Sequence, residues 1–154
     1  MDKILEGQVL INGIDIWKTY GVFLTEEKQG GRENLNAILA PSKTKDHIGV
    51  DFREAHGKKY AKALLPANEE RDVTLHFAQY AKTKDAWLAN YLAFIRFLKA
   101  GENGWLRINF PALGLTLRVF YVESSSYRAL TYLWAAGVQA SRYKVKFREP
   151  DPIV

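Results

Sequence analysis

At 154 residues the chain has room for one domain, residues 1–154, whose core can offset chain entropy without extra staples. An apolar fraction of 47% and a charged fraction of 25% match soluble globular proteins and argue against a disordered chain or a membrane protein, while the absence of cysteine excludes disulfides, thiolate zinc sites and cysteine nucleophiles. The formal charge of +5 is a mild basic excess, read first as a solvated surface because the charges are dispersed along the chain.

Met1 to Gly7 is broken by charges and lacks the apolar run of a signal peptide, and no later stretch reaches transmembrane length. Synthesis and folding in the cytoplasm, with no membrane partner, are therefore expected. From Gln8 the chain reads as two short extended pieces, Gln8 to Ile11 and Ile14 to Ile16, around Asn12-Gly13, a pair that tolerates positive φ and signals a hairpin. A second turn falls near Tyr20-Gly21, followed by Val22 to Leu24. Glu26 to Asn36 is polar and glycine-bearing and predicts an exposed loop, with a strand resuming at Ala37 to Leu39. Pro41 to His47 is a further polar connection, Ile48 to Phe52 a weak strand, and Glu54 to Ala63 a basic stretch around Gly57.

The pattern sharpens at Arg71. Val73, Leu75 and Phe77 alternate with Asp72, Thr74 and His76, as in a strand with one buried face. The period then changes: Trp87, Leu88, Tyr91, Leu92, Phe94, Ile95 and Leu98 share one broad helical face. The helix is predicted from Thr83, whose hydroxyl can cap it, to Ala100, with Asp85 and Lys99 suited to the two ends of its dipole and Gly101 as a left-handed stop. Beyond it, Trp105 to Phe110, Leu115 to Glu123, Leu130 to Ala135 and Gln139 to Arg148 predict four strands of an antiparallel meander, with Ser124 to Ser126 as a turn. Tyr143, Val145 and Phe147 would face in, and Lys144, Lys146 and Arg148 out. The expected fold is mainly β (α+β), an antiparallel β-sandwich or partly closed barrel with one amphipathic α-helix.

No catalytic constellation is legible. His47, His56 and His76 are widely spaced and lie in no metal-ligand motif. The Ser124 to Ser126 run lacks a nucleophile elbow, and Glu26-Glu27 and Glu69-Glu70 read as solvated loop charge. Neither Gly30-Gly31 nor Gly57-Lys58-Lys59 follows a strand and opens a helix as a phosphate-binding loop would. No enzyme activity, cofactor or metal is expected. The densest basic cluster, Arg53 to Lys62 with Arg53, His56, Lys58, Lys59, Tyr60 and Lys62, interleaves an aromatic and is the place to expect nucleic-acid contact. Trp17, Trp87, Trp105 and Trp134 are divided between core and subunit interfaces.

The order of elements carries a resemblance. Ile11-Asn12-Gly13-Ile14-Asp15, Tyr20-Gly21-Val22, a long loop, Arg71-Asp72-Val73-Thr74-Leu75, the helix with Trp87-Leu88-Ala89-Asn90-Tyr91, and Gly104-Trp105-Leu106-Arg107-Ile108 before a carboxy-terminal meander are similar to the amino-terminal domain of siphophage distal tail proteins, which share the tail-tube fold. The resemblance implies a homo-oligomer, a hexameric ring between tail tube and tail tip. Its partners would be tube, tail-tip and tape-measure proteins, with DNA passing through the channel without specific binding, and its location the virion tail. It also implies that the long loop bridges subunits, which makes Glu26 to Ala40 and Lys43 to Ala63 candidates for contact, through Gly30, Gly31, Arg32, Lys43, Lys45, Arg53, His56, Lys58, Lys59 and Tyr60. The family's tube lumens tend to be acidic, so the basic excess of this chain is expected on the outside. The competing readings are another tail-tube or tail-completion protein of the same fold, and a nucleic-acid-binding β-barrel working through Arg53 to Lys62.

Overall fold

A computed structural model describes residues 5–26, 30–131 and 137–152. Seven strands form one antiparallel sheet: β1 (Leu10–Ile11), β2 (Ile14–Asp15), β3 (Val22–Leu24), β6 (Arg71–Ala81), β7 (Trp105–Phe110), β8 (Leu115–Ala129) and β9 (Gln139–Glu149). Their order is β2-β1-β7-β8-β9-β6-β3. Helices α1 (Ile16–Tyr20), α2 (Glu33–Leu39) and α3 (Lys84–Ala100) accompany it, and β4 (Val50–Asp51) with β5 (Lys58–Lys59) makes a separate two-stranded sheet. The fold is mainly β with a helical layer, as the alternation predicts. The sheet curls without closing: its two edge strands, β2 and β3, are joined through α1. Among the described residues no helix is long and apolar enough to cross a membrane.

The Asn12-Gly13 hairpin forms as expected, with φ of 52° and 80° at its two positions. Asn12 also prolongs the short β1: its backbone N–H donates to the Arg107 carbonyl at 2.9 Å and its Oδ1 accepts the Arg107 N–H at 2.8 Å. Asp15 caps α1 by accepting the Trp17 N–H at 3.1 Å, and its other carboxylate oxygen takes the Gly7 N–H at 2.7 Å.

Inward residues of β1, β6, β7, β8 and β9 meet Phe94 and Leu98 of α3 in one core, among them Ile11, Leu75, Phe77, Ile108, Val119, Val145 and Phe147. The α3 helix starts where its sequence predicts, the Thr83 hydroxyl accepting the Ala86 N–H at 3.2 Å. Trp87 and Tyr91 stack at 5.3 Å, and Tyr127 meets both rings edge-on. Beneath them the buried polar groups are paired: Trp87 Nε1 donates to Ser141 Oγ, Gln79 Nε2 to the Trp87 carbonyl, and the Tyr143 hydroxyl to Gln79 Oε1. Burial holds the Tyr143 phenol well above its ordinary range, so it stays a neutral donor.

Four expectations need correction. The stretch assigned to a loop and a resumed strand contains α2. The Glu26 carboxylate accepts the Glu33 N–H at 2.9 Å, and Asn34 bonds the β6 edge through its amide. Ile38, four residues on, enters the core. These tertiary bonds settle a helix too short to form alone. Ser124 to Ser126 is not a turn: β8 runs through it with two register shifts, which let Tyr127 reach the α3 aromatics. Leu130 and Thr131 lie outside any strand, and the rest of the predicted Leu130 to Ala135 strand lies outside the described residues. Gly101 stops α3 with φ 48° and ψ −149°, a glycine conformation but not the left-handed helical one.

Candidate functional site

The chain leaves the core after α2 at Ala40 and returns to it at Arg71; between them it builds an arm. Its stalk is held by the Lys45 N–H to the Ala67 carbonyl and the Glu69 N–H to the Lys43 carbonyl, both 2.7 Å, and by the Ser42 hydroxyl to the Glu69 carbonyl. Asn68 ties the stalk back by donating to the Pro152 carbonyl at 2.9 Å. The outer part is the β4–β5 hairpin, Val50 opposite Lys59 and Asp51 opposite Lys58, with Gly57 at φ 64° in the turn.

No residue of the arm belongs to the core. Ile48 is 93% exposed and Leu65 90%, and Val50, Phe52, Tyr60 and Leu64 are about half exposed. Apolar side chains gathered on one element, with nothing over them among the described residues, mark a contact surface. Tyr60 is the partial exception: its ring lies over Gly49, where an added Cβ would meet ring carbon at 2.8 Å.

The site residues named from sequence separate into two places. Gly30, Gly31 and Arg32 precede α2, which is bonded to β6 and contributes Ile38 to the core. The rest are on the arm. Lys43, Lys45, Lys58 and Tyr60 line one open cleft with His47 and Leu64. Arg53 and His56 lie at the exposed turn between β4 and β5, and Lys59 follows in β5. Sequence reasoning selected the arm's charges and passed over its apolar residues. The signal was present in Ile48, Val50 and Phe52, which alternate like a half-buried strand although their own chain buries none of them.

Charge is distributed differently from the sequence reading. Between Pro41 and Glu70 six Lys and Arg face five Asp and Glu, so the arm is nearly neutral. The outward faces of β6 to β9 carry Arg107, Arg118, Arg128, Arg142, Lys144, Lys146 and Arg148 against Asp72 and Glu123, an excess of five, equal to that of the whole chain. Glu102 and Glu70 approach from the flanks, Glu102 at 3.2 Å from Arg107 and Glu70 at 3.9 Å from Arg148. Arg118 lies over the Trp105 ring, 3.8 Å from its centroid.

Asp72 and Arg148 sit directly opposite across β6 and β9, 2.8 Å apart. The Arg148 hydrogen bond, with its charge, holds the Asp72 carboxyl below its ordinary 3.8. The folded value is thus the lower one, so the pair's stabilisation is fully present above that ordinary value and is lost as pH falls through the folded value. Arg148→Gln is expected to flatten this acid limb in urea titrations taken stepwise from neutral pH downward. An unchanged limb would assign the acid sensitivity elsewhere.

Among the described residues no three His, Asp or Glu side chains converge on a point where a metal could sit. Comparison with protein families, curated proteins and solved structures finds no match for this chain.

Proposed function

We propose that this chain is a ring-forming structural component of a phage or prophage tail, a distal tail or baseplate hub protein that links the tail tube to the tail tip. The observation that carries the proposal is the arm from Pro41 to Glu70, which leaves the domain and presents Ile48, Val50, Phe52, Leu64 and Leu65 to solvent. An arm seated on a different surface of the next subunit makes a head-to-tail contact, and such contacts form a ring where the rotation between subunits closes. Burial of each large apolar side chain would supply about 1.5–3 kcal/mol. The resemblance in element order supports the tail assignment, with tube, tail-tip and tape-measure proteins as partners and DNA as cargo of the channel. A nucleic-acid-binding barrel working through Arg53 to Lys62 has less support, because the charges of the arm nearly cancel.

Light scattering at rising concentration is expected to show a species of six chain masses, visible as rings by electron microscopy. Ile48→Asp combined with Leu65→Asp should weaken association by about 100-fold or more while leaving the melting temperature of the unassembled chain, measured at low concentration, unchanged, because neither residue belongs to the core. A strict monomer at every concentration, with no tail protein bound, would overturn the proposal.

A further inference from the structure

The outward face of the sheet handles its cations in two ways. Toward the end of β9, Lys146 stands opposite Glu123 at 3.4 Å and Arg148 opposite Asp72 at 2.8 Å, each cation matched with a carboxylate. Near the start of β9 the register instead sets Arg142 directly opposite Arg128 of β8. Like charges facing each other across strands destabilise a sheet. The opposition is created by the irregularity between Ser125 and Arg128, where Ser126 takes φ 54°.

Beside this pair lies a cleft of about 80 Å³, bordered by Arg128, Arg142, Lys144, His76, Ser126 and Thr25. Its polar lining is rich in groups that donate hydrogen bonds. Glu26 also borders it, yet its Oε2 accepts the Glu33 N–H at 2.9 Å, at the start of α2. The Glu26 carbonyl meanwhile accepts Nη1 of Arg142 at 3.1 Å and fixes that guanidinium at the cleft. A planar guanidinium held in this way suits an oxyanion with several acceptor oxygens, which it can bind through paired N–H groups.

We propose that the Arg128–Arg142 corner is a phosphate-binding site, its ligand being either free phosphate or the phosphodiester of a nucleic-acid strand. The site is separate from the arm, so failure of the ring reading leaves it standing. An anion bound there would lie between the two opposed guanidiniums and offset their repulsion.

The experiment uses the full chain, Arg128→Gln, and Lys58→Ala/Lys59→Ala as a control on the arm. Inorganic phosphate should raise the melting temperature of the parent and control chains and move the amide resonances of residues 125–128 and 141–144. Arg128→Gln should do two opposite things: melt about 1–3 °C higher than the parent without phosphate, through relief of repulsion, and lose the response to phosphate. A single-stranded oligonucleotide followed by fluorescence anisotropy separates the sources. Binding that weakens with salt and falls about tenfold in Arg128→Gln but not in the control assigns the site to a nucleic-acid backbone. A phosphate response with an inert oligonucleotide assigns it to free phosphate. If neither probe moves the resonances of 125–128 and 141–144, or Arg128→Gln responds as the parent does, the proposal is wrong.

Discussion

Phe94→Ala is expected to destabilise the protein by about 3–5 kcal/mol, the range for removing a fully buried aromatic ring from a packed core. Phe94 is fully buried and joins three elements: its ring stands edge-on to Phe77 of β6 at 5.8 Å and packs on Tyr20 of α1 at 5.4 Å. Truncation leaves a void that these neighbours cannot fill without unseating α3 from the sheet. For a domain of this size the loss corresponds to a melting temperature lower by about 10 °C or more. Urea denaturation with an unchanged slope would report it as a change of stability alone. A loss below about 1 kcal/mol would mean that α3 does not rest on the sheet as described.

Gly21→Ala is the second large effect, at about 2–4 kcal/mol, and it acts through the backbone. Gly21 has φ 70° at the end of α1, and a Cβ there would lie 2.4 Å from the Tyr80 carbonyl oxygen. Neither atom can retreat cheaply, because the Tyr80 N–H donates to the Gly21 carbonyl at 3.0 Å and Val22 pairs with Gln79. The substitution must push β3 away from β6. Gly13→Ala provides the comparison: φ is 80°, but nothing lies within 4 Å of the added carbon. Only the conformational cost of about 1 kcal/mol or slightly more should appear there. Equal losses at the two positions would show that the close approach to Tyr80 contributes nothing.

Parts of the fold were legible because one face of an element is buried and the other is not. Val73, Leu75 and Phe77 in β6, Tyr143, Val145 and Phe147 in β9, and Trp87, Phe94 and Leu98 in α3 each write their period into the local sequence. Asn12-Gly13 announced its turn through backbone preference alone. What escaped depends on residues far apart in the chain. The α2 helix exists because Glu26 and Asn34 bond groups elsewhere, so its own composition reads as loop. The passage of β8 through three serines rests on Tyr127 meeting Trp87 and Tyr91. The cationic face is assembled by register, which places Arg107 against Arg118 and Arg128 against Arg142, pairs that no spacing rule connects.

The candidate site was half legible for a related reason. Lys43, Lys45, Lys58, Lys59 and Tyr60 could be singled out because charges and aromatics draw notice in a polar stretch. Ile48 and Leu65 could not, because an apolar residue is expected inside until the rest of the molecule is known to leave it out.

Backbone hydrogen exchange of residues 45–66, followed across protein concentration, tests most directly whether the arm exists to be covered by another subunit. Apart from the few stalk and hairpin bonds, the amides of an arm standing in solvent exchange fast. As the assembly forms, exchange within 45–66 is predicted to slow, while β6 and β9, already protected by their ladder, stay as they were. Fast exchange throughout 45–66 at every concentration, including conditions where light scattering reports a multimer, would contradict the account.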